Sequence, residues 1–138
     1  MYFPPSQFSH RFGAQFFTVE IPEFQLVEDK ESHKTYAIFK FVVKRGRQTR
    51  VMYYRYSEIL QLHDYLCSTS LGLIASICNF PGKTLRPKLD QSFLEKRRVA
   101  LEEYFHKLLC NGRHISQLPN VQKFLQLDKF EVNEYGKE

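Results

Sequence analysis

No run of about 18 apolar residues, the length a bilayer-crossing helix needs, occurs in the chain. The opening Met1-Tyr2-Phe3-Pro4-Pro5 lacks a basic segment followed by an apolar one, so no signal peptide is expected. Cysteine is scarce: Cys67, Cys78 and Cys110 are an odd number, widely spaced and without a C-x-x-C pair. The histidines His10, His33, His63, His106 and His114 are scattered. Neither a zinc site nor a disulfide framework is expected, and the thiols should be reduced and mostly buried. There is no P-loop and no G-x-G-x-x-G, and Ser57 has no G-x-S-x-G context. Lacking any nucleophile–base pair, the chain is expected to be no enzyme and to hold neither metal nor cofactor.

What is present suits one domain. The chain has 138 residues, 43% of them hydrophobic and 15% aromatic, which is too apolar for disorder and enough for a core. A net charge of +5 points to an anionic partner, with nucleic acid and an anionic membrane surface equally compatible.

Residues 1–14 show no periodicity and read as an arm. Phe17, Val19 and Ile21 then alternate with Thr18 and Glu20, the period of a half-buried strand. Pro22 interrupts it, as on an edge strand or at a bulge, and Phe24 and Leu26 resume it. The run from Thr35 through Val43 is apolar on both faces, as a central strand is. A turn at Gly46 leads to a return strand ending at Tyr54. Three strands with short links predict an antiparallel meander.

The pattern then becomes helical. Ser57 is expected as N-cap, with Glu58 in the first turn and Ile59, Leu62, His63 and Leu66 at helical spacing. Residues 71–78 form a short second helix or a packed loop. The stretch from Asn79 on is loop, broken by Pro81, Gly82 and Pro87. Asp90 or Ser92 caps the best helix, whose apolar stripe is Phe93, Ala100, Leu101, Tyr104, Phe105 and Leu108, stopping at Asn111-Gly112. Arg97 lies inside that stripe, four residues after Phe93 and four before Leu101. A charge turned inward needs a partner. A last helix starts at Leu118-Pro119-Asn120 and buries Val121, Phe124 and Leu125. Residues 129–138 read as a polar tail.

Three basic groups stand out. Arg55 ends a strand beside Tyr56, and Ser57 adds a hydroxyl and a helix N-terminus. Together they can clamp a phosphate and offer a ring a flat platform; alternatively Arg55 pairs with a carboxylate. Lys83 follows Pro81-Gly82, with Arg86 and Lys88 just beyond, and is otherwise a solvated lysine. Arg97 has either a buried ion pair, with Glu58 or Asp64, or a ligand.

In order and spacing these segments resemble the phosphoinositide-binding phox-homology (PX) domain family. The matching stretches are Arg55-Tyr56-Ser57-Glu58-Ile59-Leu60-Gln61-Leu62-His63, then Phe80-Pro81-Gly82-Lys83, then Phe93 through Tyr104 with Glu95, Arg97, Leu101 and Glu102. Each motif alone is weak; the ordered set is specific. The resemblance implies an α+β fold, a three-stranded antiparallel sheet packed against a helical subdomain, over residues 15–128. It implies that Arg55 holds a 3-phosphate, that Tyr56 supports the inositol ring and that Lys83 reaches the 1-phosphate. Arg97 would bond the 4- and 5-hydroxyls. Leu85, Arg86 and Lys88 would be accessory membrane contacts. Tyr54 departs from the family, standing where many members carry a second basic residue, and Ile59 replaces the usual Phe.

The expected partner is a phosphoinositide lipid, with other trafficking proteins as further candidates. Phosphatidylinositol 3-phosphate on the cytosolic face of endosomal membranes is the expected target. One head group seldom anchors a protein durably, so a second signal is expected. The rival reading is an interaction module of the same fold with a lost or broadened lipid pocket. A nucleic-acid binder is disfavoured, because the basic and aromatic residues match no RNA-recognition or helix-turn-helix pattern.

Overall fold

The computed structural model describes residues 17–69, 78–82, 89–111 and 117–129. The arm, the expected helix within 71–78 up to Cys78, Gly112 and the tail beyond Lys129 lie outside these residues. So do Lys83, Leu85, Arg86 and Lys88.

Strands β1 (Phe17–Glu28), β2 (Thr35–Arg45) and β3 (Gln48–Arg55) form an antiparallel sheet in the order β1-β2-β3. Phe39, Phe41 and Val43 of β2 are buried, while Ile38, Lys40 and Val42 between them are partly exposed. Gly46 takes φ 61°, the left-handed value that the tight β2–β3 turn needs.

Pro22 sits where the β1–β2 register shifts, between Glu20 and Glu23. An extra residue is accommodated there, and a proline with no N–H costs no ladder bond. The backbone of Ile21 at this bulge is clamped from outside the sheet. Its N–H donates to Glu102 Oε2 at 2.7 Å, and its carbonyl accepts from Arg98 Nη1 at 2.6 Å.

Helix α1 (Tyr56–Cys67) follows β3 without a linker. Ser57 does not cap it. The N-cap is Arg55, in extended conformation, and the Arg55 backbone N–H donates to Glu58 Oε1 at 2.8 Å. The strand runs one residue further than the Tyr54 ending expected, which moves the cap back to Arg55 and places Ser57 in the first turn. Helix α2 (Gln91–Asn111) is capped by Asp90, whose Oδ2 accepts from the N–H of Phe93 at 3.0 Å. Its buried side is Leu94, Leu101, Tyr104, Phe105, Leu108 and Leu109. Phe93 and Arg97 are only half-buried. Leu101, Tyr104, Phe105 and Leu108 are buried as the stripe predicts, whereas at the start of the helix Leu94 is buried in place of Phe93, and Arg97 lines a cavity.

Helix α3 (Pro119–Phe124) has Pro at its first turn and leads into a 3₁₀ turn, Leu127–Lys129. Phe41 is a meeting point of the core, contacting Tyr54, Phe105 and Phe124 edge-on at centroid distances of 5.2–5.6 Å. Such perpendicular contacts add to the burial of the rings themselves. Cys67, Cys78 and Cys110 form no disulfide with one another; Cys78 is buried, and Cys67 and Cys110 are exposed. Two exposed thiols out of three run contrary to the expectation of mostly buried ones.

Candidate functional site

The end of β3, the N-terminus of α1, the β1–β2 loop and the start of α2 enclose a cavity of about 470 Å³. Its walls carry Arg55, Tyr56, Ser57 and Leu60 from the strand–helix junction, and Leu89, Leu94 and Arg97 from the approach to α2 and its first turns. Asp29, Ser32 and Lys34 from the loop complete it, with Thr35, Tyr36, Ala37 and Phe39 from β2.

Arg55 stands opposite Ile38 in the sheet register, and its guanidinium lies 4.1 Å from the centre of the Tyr36 ring. It forms no salt bridge among the described residues. Among the described residues, no carboxylate is within salt-bridge distance of it, as one would be for a purely structural arginine. An exposed guanidinium resting on an aromatic face keeps its planar edge free for an oxyanion. Ser57 lies beside it on the first turn of α1, where unsatisfied N–H groups favour negative charge.

Tyr56 is half-buried and fixed at both ends. Its hydroxyl donates to the Pro81 carbonyl at 2.6 Å, and its ring lies 3.9 Å beneath the Arg97 guanidinium. Burial raises its pKa above the ordinary tyrosine value, with Arg97 pulling the other way. Arg97 also donates from Nη2 to the Gly82 carbonyl at 2.7 Å and sits 4.7 Å from the centre of the Phe93 ring. Of the two alternatives for Arg97, the ion pair with Glu58 or Asp64 does not form. Arg97 is held by a carbonyl and two aromatic faces, and among the described residues no carboxylate pairs with it at the cavity wall. Burial lowers its pKa, and the Tyr56 contact opposes that shift.

A second tier supports this wall. Phe80 stacks on His63 at 4.4 Å between centroids and meets Tyr104 edge-on at 4.8 Å. His63 Nδ1 is 2.8 Å from the Tyr104 hydroxyl. Burial depresses the His63 pKa below its usual value, with Asp64 acting in the opposite sense. His63 stacked on Phe80 therefore backs the Pro81-Gly82 carbonyls that receive Tyr56 and Arg97. Gly82 is not demanded by packing, since an added Cβ would meet nothing within 4 Å.

Arg55, Tyr56, Ser57 and Arg97 thus share one cavity. Tyr36, Asp29, Ser32 and Lys34 were missed by sequence reasoning. Counting the hairpin register back from Gly46 brings Arg55 level with Ile38 and so next to Tyr36. The loop residues had a weaker signal, the Asp29-x-x-Ser32 spacing of a side-chain-supported turn. Tyr54 faces away from the cavity: it stacks on Phe124 at 4.0 Å and donates to the Phe124 carbonyl, tying β3 to α3. Ile59 is fully buried in the core.

A three-stranded sheet with a helical subdomain and a basic, aromatic cavity at their junction defines an α+β binding module. The PX domain family model matches residues 42–128. The chain is 28% identical over 102 residues to "Serine/threonine-protein kinase Sgk3" of Rattus norvegicus, covering 73% of this chain and 20% of the kinase. It is 33% identical over 79 residues to "Sorting nexin-13" of Mus musculus, covering 55% of this chain and 8% of the relative. Among solved structures, a designed CISK-PX domain superposes with a TM-score of 0.57 at 27% identity, over 83% of this chain and 98% of that one. The mouse SNX19 PX domain with bound sulphate ion gives 0.54 at 25% identity, over 79% and 94%. The chain belongs to the PX domain family, whose members are typically non-enzymatic, phosphoinositide-binding modules. It spans 20% of the kinase relatives and 8% of the sorting nexin, so it corresponds to one part of each.

Proposed function

We propose that the domain, over residues 15–128, binds phosphatidylinositol 3-phosphate and so brings its protein to the cytosolic face of endosomal membranes as a peripheral component. The observation that carries this reading is the meeting of Arg55, Tyr56, Ser57 and Arg97 around one cavity of about 470 Å³, a size suited to a small polar ligand. Arg55 clamps the 3-phosphate with charge-assisted hydrogen bonds, aided by the N-terminus of α1 and the Ser57 hydroxyl. Tyr56 supports the inositol ring, and Arg97 donates to ring hydroxyls from N–H groups not used on Gly82. Lys83 takes the 1-phosphate, with Leu85, Arg86 and Lys88 meeting the bilayer. Trafficking proteins supply the second attachment that a single head group does not.

The test is a vesicle panel covering every phosphorylated inositol lipid, with wild type and Arg55→Ala. Wild type should bind 3-phosphate vesicles. The variant should lose that binding with a nearly unchanged melting temperature, because the Arg55 side chain forms no described salt bridge. Unaltered binding by the variant would sink the site assignment. Binding of wild type to no vesicle at all would favour a protein-interaction module of the same fold.

A further inference from the structure

The cavity is basic, yet one carboxylate stands in its wall. Of the described residues that line it, Asp29 alone is acidic, against Lys34, Arg55 and Arg97. A bare carboxylate beside an anion site costs affinity through like-charge repulsion, so its presence calls for a reason. One reason would be the β1–β2 turn. Asp29 Oδ1 accepts from the N–H of Glu31 at 3.1 Å and Oδ2 from the Ser32 hydroxyl at 2.9 Å, while His33 takes φ 58°. That turn does not need a charge, because an asparagine keeps the bond from the Glu31 N–H through its Oδ1 and can donate from Nδ2 to the Ser32 hydroxyl oxygen instead of accepting from it. What the turn does is fix the carboxylate. Its backbone is closed by Asp29 N–H to the Lys34 carbonyl and His33 N–H to the Asp29 carbonyl, each at 2.8 Å.

We propose that Asp29 is a specificity residue of this site: it accepts a hydrogen bond from a free hydroxyl of the inositol ring and repels a second phosphate brought to the loop side of the cavity. This rests on the lipid reading above. Two observations support it. The carboxyl is held ionised, its pKa lowered chiefly by the Glu31 N–H and then by the Ser32 hydroxyl, with Arg55 contributing. Asp29 and Arg55 line the same cavity, so a phosphate seated on Arg55 comes within the field of the carboxylate. Rejection by a fixed like charge is a common route to selectivity, and a site built to bond a hydroxyl discriminates sharply. Lys34 is the counterweight on the same loop, but an ammonium on a long solvated stem is a movable point charge, whereas the carboxylate is not.

Vesicles carrying the 3-phosphate lipid, or a lipid with one or two further ring phosphates, would be titrated with wild type, Asp29→Asn and Lys34→Gln. Melting temperatures would confirm that each variant is folded. The amide keeps the turn and removes the charge. Asp29→Asn should raise binding to at least one multiply phosphorylated lipid relative to the 3-phosphate lipid by about ten-fold, the effect of one like charge a few ångströms away in a partly solvated site. A ratio unmoved by Asp29→Asn, or moved only by Lys34→Gln, overturns the assignment. So does a wild type that already prefers multiply phosphorylated lipids, although the lipid reading survives that result. A wild type that binds no phosphoinositide removes both.

Discussion

Arg97 sits where the core-facing side of α2 gives way to the cavity, and its contacts depend on shape as much as on charge. A planar guanidinium lies 3.9 Å from the centre of the Tyr56 ring while one of its N–H groups reaches the Gly82 carbonyl. Lysine would keep the charge but could not stack flat and bond sideways at once. Arg97→Lys should therefore weaken binding to 3-phosphate vesicles by roughly ten-fold, the loss of one charge-assisted hydrogen bond. Its melting temperature should drop slightly, because the Gly82 clasp is lost as well. Equal binding by the lysine variant would mean that only the charge matters there. The oddity of Arg97 is legible in the sequence, since Phe93 and Leu101 flank it at helical spacing. Its partners are not. A carbonyl 15 residues away and a tyrosine ring from another helix come together only once α1 and α2 dock.

Among the elements, β1 and α2 are joined by backbone contacts as well as by packing. The bulge at Pro22 frees the Ile21 backbone from the ladder, and Arg98 and Glu102, one helical turn apart, take up its carbonyl and N–H. Arg98 is also paired with Glu95, whose side chain is about half exposed at 52%. Glu95 accepts from both Nε and Nη2 of Arg98, and this two-pronged hold aims the remaining Nη1 at the Ile21 carbonyl. Arg98→Met should cost about 1–3 kcal/mol, the range for leaving a buried acceptor without its donor. Urea unfolding would measure it, and a change below the error of the midpoint would show that water replaces the guanidinium. The bulge itself follows from a proline set in an alternating strand. The clamp does not, because the sequence places Arg98 only at the edge of an apolar stripe. Its reach to β1 depends on how the helix lies across the sheet. The same dependence misplaced the cap of α1. Tyr54-Arg55-Tyr56 can continue a strand or start a helix, and the choice falls on the residue whose N–H finds Glu58.

For the whole molecule, the architecture is the most legible part, because strand period, the Gly46 turn and the long apolar stripe of α2 are local signals that agree with one another. Convergence of the basic residues is a long-range property, and no spacing along the chain specifies it. The net charge of +5 adds an attraction that has no pocket at all. The two terms separate by salt. Attraction between an exposed basic surface and an anionic bilayer acts over a Debye length of about 10 Å at 0.1 M and about 3 Å at 1 M, so it decays steeply with ionic strength. A phosphate seated on Arg55 inside the cavity is in direct contact and partly shielded from mobile ions, so it is screened less. Vesicles of phosphatidylcholine and phosphatidylserine should bind the domain weakly at low salt and release it by about 0.5 M, where the Debye length falls below two water layers. Vesicles that also carry the 3-phosphate lipid should retain a substantial fraction at that salt. Arg55→Ala should resemble wild type on the first vesicles and lose the retained fraction on the second. If 3-phosphate binding instead vanishes in step with phosphatidylserine binding, surface charge supplies the affinity and the cavity does not.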